Sequence, residues 1–290
     1  MEEKVTIKYS KSKYKYRIGF IIASLVVAFG AITMLFPYLW MFLTSFKSTN
    51  EAYGLPMTLL PSEWLISAYT GIIADEKFYM SVLYTLSIEV SVIIVGTLVS
   101  TLAAFAFAKL KFKGKKALLL VLMSSMMVPY AAVMLPQYRA FQNLMLTETL
   151  APLILPGLFG NISMTFFLVT YMKEGIPDSL IESAKIDGSN YFQMYLKLAL
   201  PLAKPAIAAQ AIFWFVGIWN DFFGPSIYLT NPKVQTLQVY LNSLLSSNAS
   251  GVELPILMAG SVLASLPMIV IFFCFQNFFI NSIALSGMKE

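Results

Sequence analysis

Few side chains in this sequence could carry out chemistry. Histidine is absent, and the single cysteine, Cys274, sits in an apolar run. That removes the commonest general base, the usual nucleophilic triads and most zinc sites, and an internal disulfide with them. Cys274 reads as a small side chain at lipid level. No Gly-x-x-x-x-Gly-Lys-Ser/Thr phosphate loop occurs, so any ATP chemistry must reside in another polypeptide. Two acids, Glu89 and Asp221, interrupt long apolar stretches, and an ionisable group in such a place is a functional candidate by default. Glu89 falls about 12 residues into its stretch, near mid-depth at about 1.5 Å per helical residue. It reads as lining a pathway or as bonding a neighbouring helix. Asp221, with Trp219 and Asn220, reads as part of an outer gate or as a contact for an extracellular protein.

The stretches holding these residues belong to a membrane. Of the 290 residues, 58% are hydrophobic and 12% charged, against about 25% charged in soluble domains. About 20 apolar residues cross a bilayer core. Six segments meet or approach that length: within Ile18–Phe46 and Phe78–Ala108, then about Ala117–Pro136, Leu150–Met172, Pro205–Leu229 and Pro255–Phe279. The first is too long for a signal peptide and lacks its pattern, so it reads as an uncleaved helix. The expected fold is an all-α integral membrane protein with six transmembrane helices. With the N-terminus inside, 16 of the 20 lysines and arginines fall on the inner side. The positive-inside rule therefore places both termini in the cytoplasm, and the charge reads as an orientation signal, with no nucleic-acid partner. Residues 1–17 form a basic cytoplasmic segment and 18–290 the membrane domain. The Gly/Ala/Ser pattern through Gly96, Ser100, Ala103, Ala104 and Ala108 reads as helix packing. The outer loop from about Ser48 to Lys77 is too short for a domain. The sequons at Asn161 and Asn248 are short enough to arise by chance.

The inner loop between the fourth and fifth segments, about residues 173–204, is longer than a simple link requires. Ser179 and Glu182 are spaced as a capping box, Pro177 suits a helix start and Gly188 suits a left-handed stop. A short helix from about Ser179 to Asp187 follows, and Ser189 is placed to cap a second one to about Leu198. Such a structured knob reads as a docking surface for a cytoplasmic partner, or as a helix lying on lipid.

The run Glu182-Ser-Ala-Lys-Ile-Asp-Gly188, with Leu200-Pro201 a dozen residues on, resembles the EAA loop of ABC importer permeases. Ser183 takes the place of the first alanine, a small-for-small change. Asp187-Gly188 and Ile176-Pro177 are similar to the carbohydrate branch, the maltose-type permeases. Further likenesses are Phe112-Lys-Gly-Lys-Lys116, Met126-Met-Val-Pro129, Trp219-Asn-Asp-Phe-Phe-Gly-Pro225 and the tail Leu285-Ser-Gly-Met-Lys289. The resemblance covers nearly the whole chain and is nearer the second maltose-type permease, which lacks large extra loops.

The resemblance implies a type I ABC importer permease fold in a prokaryotic inner or plasma membrane. It implies a second homologous permease, two ATPase subunits that bind ATP and Mg, and an extracellular solute-binding protein. This chain would hold no cofactor or metal and catalyse nothing. The substrate would be a carbohydrate, an oligosaccharide or polysaccharide fragment. Glu182 would pair with a basic ATPase residue, Ala184 would allow close packing and Gly188 the turn. Ser183, Asp187 and Pro201 complete the coupling set. Trp214, Trp219 and Tyr228 are rings able to stack on sugar, although such rings also anchor helices at the interface. Rival readings are an ABC permease for a polyamine, phosphate or peptide, and an ion-coupled carrier.

Overall fold

A computed structural model of the chain describes residues 12–246 and 253–287. The basic residues before Ser12, the Asn248 sequon and Lys289 lie outside them. Among the described residues all regular structure is helical. Contacts divide the chain into two units, residues 1–72 with 253–262, and residues 73–252 with 263–290.

In the first unit, α1 (Ser12–Thr44) exposes large apolar side chains along its length from Phe20 to Phe42, as a lipid-facing span does. Beyond it, Phe46 packs its ring on Phe42, Trp64 and Tyr69, and its carbonyl accepts from Leu65 N at 2.9 Å. The loop after α1 is thereby ordered. It carries α2 (Thr49–Ala52) and leads into α3 (Ser67–Ala74). Glu51 closes it by accepting from Thr58 Oγ1 and from both N and Oγ of Ser62.

The second unit is organised around α4 (Glu76–Lys109). Ser81, Thr85, Ile88, Val92, Gly96, Ser100 and Ala104 are buried along it, at the three- and four-residue spacing of one helix face. The following span is broken. α5 (Lys115–Ser125) and α6 (Tyr130–Asn143) meet at 93°. Pro129 has no N–H and disfavours helix at the residue before it, so the helix ends and restarts there. α7 (Ala151–Leu158) and α8 (Ile162–Gly175) together form the next span. Between them Gly160 takes φ +95° and Asn161 Oδ1 caps α8 by accepting from Met164 N at 2.9 Å. Ser100 Oγ on α4 accepts from Asn161 N at 2.8 Å, so the break is held from the side.

Beyond α8 come α9 (Asp178–Ile186) and α10 (Tyr191–Met194). A π-helical segment, Tyr195–Ala199, then runs straight into α11 (Leu200–Trp219). The unit continues with α12 (Phe223–Tyr228) and α13 (Leu237–Ser246). α14 (Leu254–Gly287) is the last helix, and Cys274 on it is exposed. α8, α11, α7 and α13 all pack on α4.

Among the described residues five spans are long and apolar enough to cross a membrane, and the bent α5–α6 pair makes up to six. Four sequence expectations need correction. The third segment is a kinked pair, because Pro129 breaks it. The fifth helix stops at Trp219, and the residues to Leu229 form a separate short helix. The second helix of the inner loop is the start of the fifth span. Pro201 lacks the N–H an α-helix would donate to Lys197 O; the π turn, with Leu200 N bonded to Tyr195 O, carries the chain past it. Lastly, Ser179 and Ser189 are not caps. α9 starts after Pro177, and Asn190 forms the capping box with Gln193 at 2.8 and 3.0 Å.

Candidate functional site

The EAA-like residues sit on α9, and each of its ends is fixed for a nameable reason. At the start, Asp178 Oδ1 accepts from Lys109 Nζ, the last residue of α4, at 2.6 Å. The Lys109 side chain is 3% exposed and that of Asp178 82%, so the lysine is sequestered and its ammonium reaches out to the loop. Its Nζ also lies 3.4 Å from Lys173 O. The Lys109 hydrogen bond holds the Asp178 carboxyl below its ordinary range. At the other end Gly188 has φ +79°. Its N–H donates to Lys185 O at 3.1 Å, and Ser189 N donates to Ala184 O at 2.9 Å. This is a Schellman stop.

Between these anchors α9 has two faces. Ile181 and Ala184 pack on the core cluster built from Phe105, Leu168, Met172, Met194 and Tyr195. Tyr195 OH and Thr101 Oγ1 share a 2.8 Å hydrogen bond inside that cluster. Glu182, Ser183, Lys185, Ile186 and Asp187 point out, with Gly188 beside them. Ile186 is 86% exposed, an apolar side chain at the tip of a polar knob. Ala184 thus spends its small size on the inward side. Pro201 is exposed on the first turn of α11.

The remaining candidates are dispersed along the second unit. Glu89 is 2% exposed, and neither carboxylate oxygen has a hydrogen-bond partner. Trp214 packs edge-on to α4, where a Cβ on Gly96 would lie 2.4 Å from the indole and 2.4 Å from Gly157 O. Trp219 is buried, stacks on Phe215 and donates its indole N–H to Ala264 O at 3.0 Å. Asn220 is exposed and donates its amide to Val216 O at 2.9 Å.

Asp221 and Tyr228, in contrast, share a pocket. Its volume is about 280 Å³, and Tyr130 and Gln137 of α6, Pro152 and Pro156 of α7, and Phe223 contribute to its walls. Asp221 Oδ1 accepts from Gly224 N at 3.1 Å. A Cβ at 224 would lie 2.7 Å from Asp221 Oδ2, so the carboxylate needs the glycine. Glu148, in the link between α6 and α7, ties the walls together. Its carboxylate accepts from Thr230 Oγ1 and, at 2.9 Å, from Asn231 N, and its own N–H donates to Tyr228 O at 3.0 Å. The Thr230 hydrogen bond keeps the Glu148 carboxyl below its ordinary range.

Sequence reasoning missed Lys109, Asp178, Glu148 and Gln137. Lys109 and Asp178 are 69 residues apart, and no local spacing announces the pair.

The family described as "Binding-protein-dependent transport system inner membrane component" matches residues 93–284. The chain belongs to it. The chain is 31% identical over 266 residues to the arabinooligosaccharides transport system permease protein AraQ of Halalkalibacterium halodurans, covering 90% of this chain and 94% of the relative. It is 30% identical over 280 residues to the galactooligosaccharides transport system permease protein GanQ of Bacillus subtilis, at 96% and 98% coverage. Its fold matches a chain of a bacterial ABC transporter involved in import of the acidic polysaccharide alginate. That match has a TM-score of 0.81 and 25% identity, over 94% of this chain and 100% of the other. As a binding-protein-dependent transport component, the chain is a multi-pass membrane protein of the ABC importer family.

Proposed function

We propose that this chain is one of two permease subunits of an ATP-driven carbohydrate importer, and that α9 is the element through which an ATPase subunit moves it. The carrying observation is the build of α9, braced by Lys109 at one end, stopped by Gly188 at the other and packed inward by Ile181 and Ala184. A helix held this way transmits a push as a rigid body, and its outward residues Glu182, Ser183, Ile186 and Asp187 are left for a partner. Relatives named for arabino- and galactooligosaccharide transport support an oligosaccharide cargo. The lysine and arginine distribution supports cytoplasmic termini and a cytoplasmic α9. The partners are then a second permease, two ATPases that bind ATP and Mg, and an extracellular binding protein. Asp221, Tyr228 and Asn220, in the segment beyond the fifth span, fall on the outer side.

The test is co-purification of the tagged chain in detergent, native against Glu182→Lys. The native chain brings an ATPase and a second permease; the variant keeps the permease and loses the ATPase. A native chain that comes alone, and still moves solute in vesicles without ATP, makes it a carrier.

A further inference from the structure

The pocket between α6, α7 and α12 is not part of the coupling device, and its chemistry is specific. Its lining is mostly proline and aromatic, with Gln137 and Asp221 as polar members beside Tyr130 and Tyr228. That is the usual make-up of a small-molecule site. The volume of about 280 Å³ falls just under the range for drug-sized ligands, which suits one or two sugar rings. The Tyr228 hydroxyl is buried and makes no hydrogen bond of good geometry, although the Tyr130 hydroxyl is close enough to interact with it. Tyr138 stacks on the Tyr228 ring at 5.9 Å and Phe141 meets it edge-on at 5.8 Å. The Glu148 clasp fixes the α12 side against the α6–α7 link, so the pocket is formed before anything enters it.

Charge decides the ligand class. Among the described residues no lysine or arginine lines the pocket, and Asp221 is the charged side chain in its lining. A carboxylate held by a backbone N–H accepts well from sugar hydroxyls. A second carboxylate would enter against it with no cation to offset the repulsion.

We propose that this pocket is a glycan subsite for an uncharged sugar unit and that Asp221 makes it reject uronates. The proposal rests on the permease reading above.

The test uses the purified complex in nanodiscs at pH 7, read by saturation-transfer NMR. The probes are tetragalacturonide fully methyl-esterified and the same oligosaccharide as free acid. They share ring and linkage, and the ester replaces each negative charge by a methyl group. The ester should bind roughly tenfold or more tightly than the acid, as juxtaposed like charges demand. Asp221→Asn should close most of that gap, and Gln137→Leu should weaken the ester, with both variants melting as the native complex does. Equal binding of acid and ester to the native complex overturns the proposal. So does an ester signal unmoved by either variant, or no signal from either probe. Since the pocket lies within one chain, the readout stands even if no ATPase co-purifies, an outcome that would count against the permease reading alone.

Discussion

Two glycines separate the two things a missing side chain can do. At Gly96 the backbone φ is ordinary, but a Cβ would sit 2.4 Å from Gly157 O and 2.4 Å from the Trp214 ring. The carbonyl cannot swing aside, so Gly96→Ala must part α4 from α7. It should cost about 1–3 kcal/mol, the usual range for overpacking, read as a lower melting temperature in detergent. At Gly188 nothing lies within 4 Å, but φ is +79°. Gly188→Ala should cost about 1–2 kcal/mol of local backbone strain, read as faster amide exchange in the last turn of α9 and not as a lower global melting temperature. Glu89 is a third case. Its buried, unpartnered carboxyl is better tolerated as an amide, because burying a charge costs more than burying a polar neutral group. Glu89→Gln should keep the melting temperature or raise it, and Glu89→Lys should prevent assembly. A fall in melting temperature in Glu89→Gln would reveal an ionised carboxylate with a partner in the full complex.

Among the elements, α9 shows how much a sequence discloses. Its existence, its stop at Gly188 and its outward Glu182 and Asp187 were legible, because turn chemistry and helix spacing are local. The start was misplaced by one residue. Pro177 sets the boundary, and Asp178 in the first turn takes Lys109 in place of a capping box. That partner comes from the end of α4, a long-range fact that local reading does not contain. The π turn at Tyr195–Ala199 was equally hidden. Pro205 looked like the opening of a span, whereas the helix is already running from Tyr191 and adapts its hydrogen bonding to pass Pro201. The kink at Pro129 was visible as a proline but not as a 93° bend, since membrane helices often keep going through proline. In the pocket between α6, α7 and α12, Asp221 and Tyr228 were singled out, but Gln137 and the Glu148 clasp were not, as their significance comes only from packing.

The Lys109–Asp178 latch makes a prediction of its own. A carboxyl held below its ordinary range favours the closed contact at neutral pH and loses it as pH falls through the lowered value. The amides of Glu182 and Ser183, which pair with the first-turn carbonyls of α9, should therefore stay protected at pH 7 and open only below about pH 4, near the ordinary aspartate value. Hydrogen exchange corrected for intrinsic rates reads this. Asp178→Asn should show the open behaviour at pH 7, and protection unchanged in that variant would mean that Ile181 and Ala184 hold α9 unaided.

At the scale of the whole molecule, the second unit gathers α7, α8, α11 and α13 on α4 and leaves α9 as an exposed, stiffened helix between α8 and α10. The long apolar surface of α1 and the family to which the chain belongs agree on a bilayer setting. The central claim is that α9 docks an ATPase, against the rival that it lies on lipid. A photo-reactive amino acid placed at Ile186, which is 86% exposed, in membranes of cells expressing the whole importer discriminates directly, with inward-packed Ile181 as the control. An ATPase adduct is expected from position 186 and none from position 181. Lipid adducts alone from position 186 would contradict it.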